Sequence, residues 1–329
     1  MAFRISPLWW PVLGVASPLL APLLYGKNRR YKANLEEVAE RNQARMRQAE
    51  PIDLPELDFL ELTVLVEEKT SDGFCSDAGV SYLFRTDRGA LLFDVGFGPE
   101  RPALTHNAAL LDFKLDQVEA LVISHLHPDH MGGMKACRSK QVTVPAELGR
   151  PSGQVCFLPD KAGADGMPCE LVKAPRMLPA GIATTGPLAR SLFFMGLMEE
   201  QALVANVKNK GLVVITGCGH PTIEVILQMV RRLSDKPIHV IGGGLHFPVT
   251  GGRGNRLGIQ FQTLIGTGKP AWQKITDDDL SDTIAALNLV KPDKVFLSAH
   301  DSCDHSLARM QQELDAETDV FQAGKTYRF

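Results

Sequence analysis

The chain has 329 residues, of which 44% are hydrophobic, 22% charged and 7% aromatic, with a formal net charge of −3. That length and apolar content allow one large domain with a substantial core, or two modest ones. The weak field lacks the basic excess of a nucleic-acid footprint, and no segment has the low hydrophobicity and high charge of disorder.

Residues 5–26 (ISPLWWPVLGVASPLLAPLLYG) carry no charge, and a helix needs about 20 apolar residues to cross a bilayer. Trp9, Trp10 and Tyr25 lie near the two ends, where amphipathic rings favour headgroups. Lys27, Arg29, Arg30 and Lys32 follow the segment while Arg4 alone precedes it, so the expectation is a membrane anchor with the rest of the chain on the cytoplasmic side. Four prolines (Pro7, Pro11, Pro18, Pro22) leave a kinked span and a shallow re-entrant anchor both open. A cleaved signal peptide is the rival reading, which the basic cluster behind the segment argues against, and a soluble hydrophobic tail is a third. Residues 35–50 alternate Glu with Arg and read as a solvated helix or stalk. The expected division is therefore 1–50, anchor and polar stalk, and 51–329, catalytic domain.

Strand-like runs at 60–67, 81–86 and 91–95 open that domain, separated by turn residues. Residues 111–119 read as helical, and 120–124 is a short apolar run leading straight into His125. Residues 211–216 form a second buried strand, ending in Gly217-Cys218-Gly219-His220 and followed by a helix over 221–233. Residues 239–242 end in Gly243-Gly244-Leu245-His246, and 294–299 end in His300, with a helix from about His305. Strand ends along one sheet edge are where α/β enzymes concentrate chemistry. The layered alternation implies an α/β fold of two stacked sheets with outer helices.

His125, His127, Asp129 and His130 fall within six residues. Extended backbone sends His125 and His127 to one side, and Pro128 then breaks the strand so that Asp129 and His130 turn toward a neighbouring position. Packing explains such a cluster poorly, because buried charges need partners or metals. Imidazole and carboxylate suit zinc, iron or manganese. The six cysteines (75, 137, 156, 169, 218, 303) form no CxxC pair and no disulfide framework, which suits a reducing compartment.

The segment SHLHPDHMGG resembles the HxHxDH signature of the metallo-β-lactamase superfamily. Ala90-Leu91-Leu92-Phe93-Asp94-Val95-Gly96 resembles the strand-plus-aspartate element that precedes it. Gly217-Cys218-Gly219-His220-Pro221-Thr222-Ile223, Glu199-Glu200-Gln201-Ala202-Leu203 and Gly243-Gly244-Leu245-His246 resemble the GCSHPGI, DEQAL and GGFHL elements of a subgroup similar to dihydropterin-ribofuranosylaminobenzene-phosphate synthases. The resemblance covers about residues 60–329 and implies a four-layer αββα sandwich with the site at one edge of the sheets. It implies that His125, His127 and His220 hold one metal ion, and that Asp129, His130 and His300 hold a second. Cys218 stands where relatives carry a bridging aspartate or a cysteine ligand, and reads either as a thiolate ligand or as a small residue packed beneath the site. Asp94 reads as an acceptor that orients a ligand histidine, and His246 as a substrate contact, a proton donor or a cap of its loop.

Two departures stand out. Gly219 replaces the subgroup's serine, and the last element reads His300-Asp301-Ser302 where relatives often have His-Cys-Thr-Gly. The stretch 247–275 is also longer than expected, as in lids and binding loops; its Arg253 and Arg256 are candidates to meet an anionic group, and a mobile surface or membrane-facing loop is the alternative reading.

One or two bound Zn2+ ions (Fe and Mn remain open) would lower the pKa of water toward ~7 and supply hydroxide at neutral pH, with Asp129 orienting it. The expected function is metal-dependent hydrolysis of an ester, lactone, thioester or phosphoester in a small substrate, anionic or lipid-like. Pterin-type synthase chemistry and a non-catalytic metal-binding sensor or scaffold are the alternatives. Nucleic acid is not an expected partner, and the oligomeric state is left open.

Overall fold

The computed structural model describes residues 5–253, 255–270 and 272–329. One sheet has seven strands, in the order Thr326–Arg328, Leu60–Val66, Ser81–Thr86, Gly89–Phe93, Ala120–Val122, Val155–Leu158 and Cys169–Leu171. The other runs Arg176–Met177, Ala183–Thr184, Leu203–Val207, Gly211–Ile215, Ile238–Gly243, Lys294–Leu297 and Glu317–Val320, with Glu56–Leu57 paired beside Leu203–Val207.

Side-chain alternation along the strands sorts the apolar residues into three layers. Tyr82 and Phe84 face inward to meet Val213 and Ile215 of the opposite sheet, forming the core between sheets. Leu83 points outward, toward Leu104 and Ala108 of the helix Ala103–Leu110. On the far side Leu212 and Val214 pack on Ile223, Ile226, Leu227 and Val230. Those four recur at i, i+3, i+4 and i+7, so the helix Ile223–Leu233 presents one apolar stripe to the sheet. Each such side chain contributes about 1.5–3 kcal/mol when fully buried. Helix, sheet, sheet and helix make the αββα sandwich.

The helix read over 111–119 is not there. Helix Ala103–Leu110 precedes it, Asp112 takes a left-handed φ of 49° that ends the helical path, and only a 3-10 turn, Leu115–Gln117, follows. All six thiols are free.

The N-terminal helix, Trp10–Gln48, continues through Pro18 and Pro22 for 39 residues. Its second half is less free than a stalk. Asn42 is buried: its side-chain amide donates to the Ala189 carbonyl at 2.9 Å, and its oxygen accepts the Ala189 amide at 2.8 Å. Arg41 and Arg45 both reach Glu199, at 2.7 and 2.5 Å. Tyr31 donates to the Gly268 carbonyl at 2.6 Å and packs on Phe193. The helix therefore docks on the hairpin of Leu188–Leu192 and Gly196–Glu200. Polar residues won this contact where an apolar stripe would have announced it.

The apolar half is exposed, with Leu8, Val15 and Leu19 more than four-fifths accessible. Just before it, the Ser6 amide donates to the Gly258 carbonyl at 2.8 Å and the Trp9 indole to the Leu257 carbonyl at 2.9 Å.

Candidate metal centre

The strand Ala120–Val122 leads into His125–His130, and Gly211–Ile215 into Cys218 and His220. Ile238–Gly243 leads to His246, and Lys294–Leu297 to His300. The last three strands are parallel neighbours, so their C-terminal ends open on the same edge. Past His127, Pro128 occupies the first position of a one-turn helix, Pro128–Met131, where its missing amide costs nothing. That turn redirects Asp129 and His130.

The chain-distant residues meet. His125 Nε2 lies 2.9 Å from His127 Nδ1, and His127 Nδ1 lies 3.2 Å from His220 Nε2. These three make one group able to hold a metal ion, with donor atoms within 4.8 Å of one another. Asp129, His130, Cys218 and His300 make a second such group. Cys218 Sγ stands between the two imidazoles of that group, 3.1 Å from His130 Nε2 and 3.1 Å from His300 Nε2. Cys218 also groups with His220 and His246, so the thiol sits where the two sites adjoin. Converging imidazole nitrogens, a thiol and a carboxylate form a donor set suited to divalent zinc.

Buried acceptors orient the ring nitrogens that face away. Asp94 Oδ2 accepts from His130 Nδ1 at 2.7 Å and from the Ser124 hydroxyl at 2.6 Å, while its Oδ1 accepts the Ser124 amide at 2.6 Å. This is the orienting position expected of Asp94. The Ser124 hydroxyl also lies 2.9 Å from His125 Nδ1. His300 Nδ1 contacts Ser298, whose hydroxyl donates to Glu67. Glu200 accepts the amides of Cys218, Gly219 and His220 at 3.0, 2.8 and 2.8 Å. Gly219, the departure from the subgroup's serine, has φ 68°, and a side chain there would also meet the Gly244 carbonyl at 2.5 Å.

Burial sets the protonation of the cluster. It lowers His125, His130 and His220 well below the ordinary imidazole value, His127 to about 4 and His246 to about 3. These rings are neutral at pH 7, the form that binds metal. His300 differs: burial pulls it down, but the Asp301, Glu67 and Asp129 carboxylates outweigh that and raise it to about 9. Burial, aided by the neighbouring carboxylates, pushes the Cys218 thiol well up. Burial also raises Glu200 to about 7, against the pull of its three amides.

His246 lies beside His220, ring centroids 4.5 Å apart, and both its ring nitrogens are buried without a partner. Its amide donates to Asp301 Oδ2 at 3.0 Å, which holds its φ of 60°. A cavity of about 310 Å3 joins His127, Asp129, Cys218, His220, His246 and His300, and its outer wall includes Phe97, Met195, Phe261 and Ile265. Arg253 is not free for an anion, because it donates to the Ala299 and Ser302 carbonyls and to Asp304. The side chain of Arg256 lies outside the described residues.

Glu67, Ser124, Ser298 and the part played by Glu200 were missed from sequence. Ser298 left a signal: it stands two residues before His300 and so shares its side of the extended chain. Glu67 left none, since its partners lie far along the chain.

The family model of the metallo-beta-lactamase superfamily matches residues 77–146. No curated protein matches the chain. Among solved structures, Tm1679, described as a metal-dependent hydrolase of the beta-lactamase superfamily, is 22% identical over 82% of this chain and 98% of its own, with a TM-score of 0.55. YhfI from Bacillus subtilis, a metallo-beta-lactamase fold protein, is 12% identical over 82% and 99%, with a TM-score of 0.49. A diphosphatase of the PhnP family is 13% identical over 82% and 98%, with a TM-score of 0.45. The matched segment holds the His125–His130 cluster, and the likeness to Tm1679 shows a shared fold.

Proposed function

We propose that the protein is a zinc-dependent hydrolase working at a membrane surface on a small amphiphilic ester or phosphoester. The observation that carries the chemistry is the convergence of two adjoining donor groups on one sheet edge, one of three histidines and one of Asp129, His130, Cys218 and His300. Ions held there would acidify water and polarise a carbonyl or phosphoryl oxygen. His125, His127 and His220 would hold the first ion. Asp129, His130 and His300 would hold the second, with Cys218 available to it as a thiolate. Asp129, the most open of these ligands, is placed to accept a proton from the attacking water. His246 adds two unpartnered ring nitrogens on the wall of the same cavity and suits a substrate contact. The apolar outer wall favours a substrate with a hydrocarbon part.

Residues 5–26 support the membrane reading. Leu8, Val12, Val15, Leu19 and Leu23 are exposed at intervals of four, three, four and four residues, which puts them on one helical face. Contacts to the catalytic fold bracket this stretch, at Ser6 and Trp9 on one side and at Lys27, whose ammonium reaches the Phe194 carbonyl at 3.1 Å, on the other. A helix tied at both ends lies along a bilayer more readily than through it. The basic residues after it favour the cytoplasmic leaflet.

The test is metal analysis of the purified full chain, followed by a screen of ester, lactone and phosphodiester substrates with His127→Ala as control. Zinc bound at one or two per chain, and turnover abolished in the variant, is the expected result. Equal turnover in the variant would rule out the metal mechanism for that substrate.

A further inference from the structure

A second cavity, of about 230 Å3, lies behind the metal cluster and shares His220, His246 and Gly266 with the first. Arg190, on the strand Leu188–Leu192, lines it. Among the described residues its guanidinium makes no hydrogen bond and no ion pair within 4 Å. Removing such a charge from water without a partner is costly, and elsewhere in this fold Arg45, Arg101, Arg253 and Arg309 are all paired with carboxylates.

The other charges around the cavity are engaged or peripheral. Lys269 binds Asp279 at 2.7 Å, and Asp279 also accepts the Thr276 amide at 2.9 Å. Glu224 accepts the Thr283 hydroxyl at 2.8 Å. Asp282 is exposed at the rim. Glu224 and Asp279 act on Arg190 through space without an ion pair within 4 Å, so the guanidinium donors stay unspent.

Two glycines, Gly266 and Gly268, flank Thr267 on the wall facing that charge. A Cβ on Gly268 would stand 2.6 Å from Arg190 Nε, and one on Gly266 would stand 2.6 Å from His246 Nε2. The segment 266–268 thus packs closely against both groups, with Thr267 on the cavity wall. His246, with neither ring nitrogen partnered, forms the wall shared by the metal-cluster cavity and the Arg190 cavity.

We propose that the Arg190 cavity is an oxyanion subsite that takes a carboxylate or phosphate group of the substrate, leaving the bond to be cleaved on the metal side of His246. A planar guanidinium offers two parallel donors to either group. Arg190 would then be the anion-binding arginine that the stretch 247–275 was expected to supply. This inference rests on the hydrolase reading for the word substrate, and its test is a binding measurement that needs no turnover.

Isothermal titration of the zinc-loaded full chain with phenylphosphonate, benzoate and uncharged benzamide reads the subsite directly. Arg190→Gln should weaken whichever anion binds by about 10- to 100-fold, the range of a charge-assisted pair, and Arg190→Lys should recover part of it. Benzamide binding should be the same in all three proteins, and zinc content and Tm should match the wild type. Preference for phenylphosphonate over benzoate, or the reverse, names the group. Equal anion affinity in wild type and Arg190→Gln, or no anion binding by the wild type, overturns the subsite. A wild-type chain that binds no zinc sinks the hydrolase reading instead, and the anion titration on that sample still decides the subsite.

Discussion

His220 Nε2 lies 3.2 Å from His127 Nδ1, although 93 residues separate them along the chain. Each ring is buried and neutral at pH 7, so one nitrogen can donate to the other, and a shared cation would take the place of that hydrogen bond. His127→Ala and His220→Ala should each strip the first ion, lowering its affinity by more than the 10- to 100-fold lost when a mere orienting partner is removed. Metal content per chain after dialysis checks this. Retention of the full complement by either variant would break the assignment of the first site.

Protons report on the second site. His127 is held at about 4 and the other two rings of its group are also lowered, so the first ion displaces almost no proton at pH 7. His300, raised to about 9, and the Cys218 thiol are both protonated at that pH. The second ion should therefore release up to two protons, and its affinity should fall as pH falls below 9. First-site affinity should stay flat from pH 8 to about 5 and decline as pH approaches 4. The same sign applies to the stability contributed by His127: present above pH 6.5 and lost as pH falls through 4. Titration calorimetry in two buffers of different ionisation enthalpy counts the protons. One proton from the second ion rather than two would leave Cys218 as a packed thiol.

Glu200 governs the turn that presents two of these ligands. Its carboxylate satisfies three buried amides in a row, and each amide left unpaired costs about 1–3 kcal/mol. Glu200→Ala should therefore destabilise the fold by several kcal/mol and scatter Cys218 and His220 together. Glu200→Gln keeps one acceptor oxygen and should cost less. Denaturant unfolding of the metal-free proteins checks the order, and a milder effect from Ala than from Gln would exclude this role.

How far the site could be read from sequence depended on chain distance. His125 to His130 carry their pattern in six consecutive residues, and the strand ends before Cys218, His246 and His300 follow from short apolar runs. Their convergence follows from parallel pairing of three strands. What could not be read was polar and long-range. Asn42, Arg41, Arg45 and Tyr31 dock the N-terminal helix through polar contacts, which leave no hydrophobic period to detect. Glu67 reaches the His300 neighbourhood from 231 residues before Ser298. Arg253 was the visible arginine in the long loop, yet its donors are spent on the backbone of Ala299 and Ser302.

The outward stripe of the N-terminal helix gives the last prediction. Val15 and Leu19 are 86% and 81% exposed, so charges there remove no contact within the fold. In a bilayer each side chain of this size gains about 1.5–3 kcal/mol on burial. Val15→Glu with Leu19→Glu should therefore lower binding to vesicles containing anionic lipid by 100-fold or more, while the unfolding temperature stays unchanged. Flotation with vesicles measures the first and calorimetry the second. Orientation can be read in the same system by placing cysteines at Ile5 and Ile259, which face each other as an antiparallel bridge. A helix lying along the surface keeps that pair together, so a disulfide should form in the vesicle-bound protein. A helix crossing the bilayer would carry residue 5 to the opposite face, and no cross-link could form.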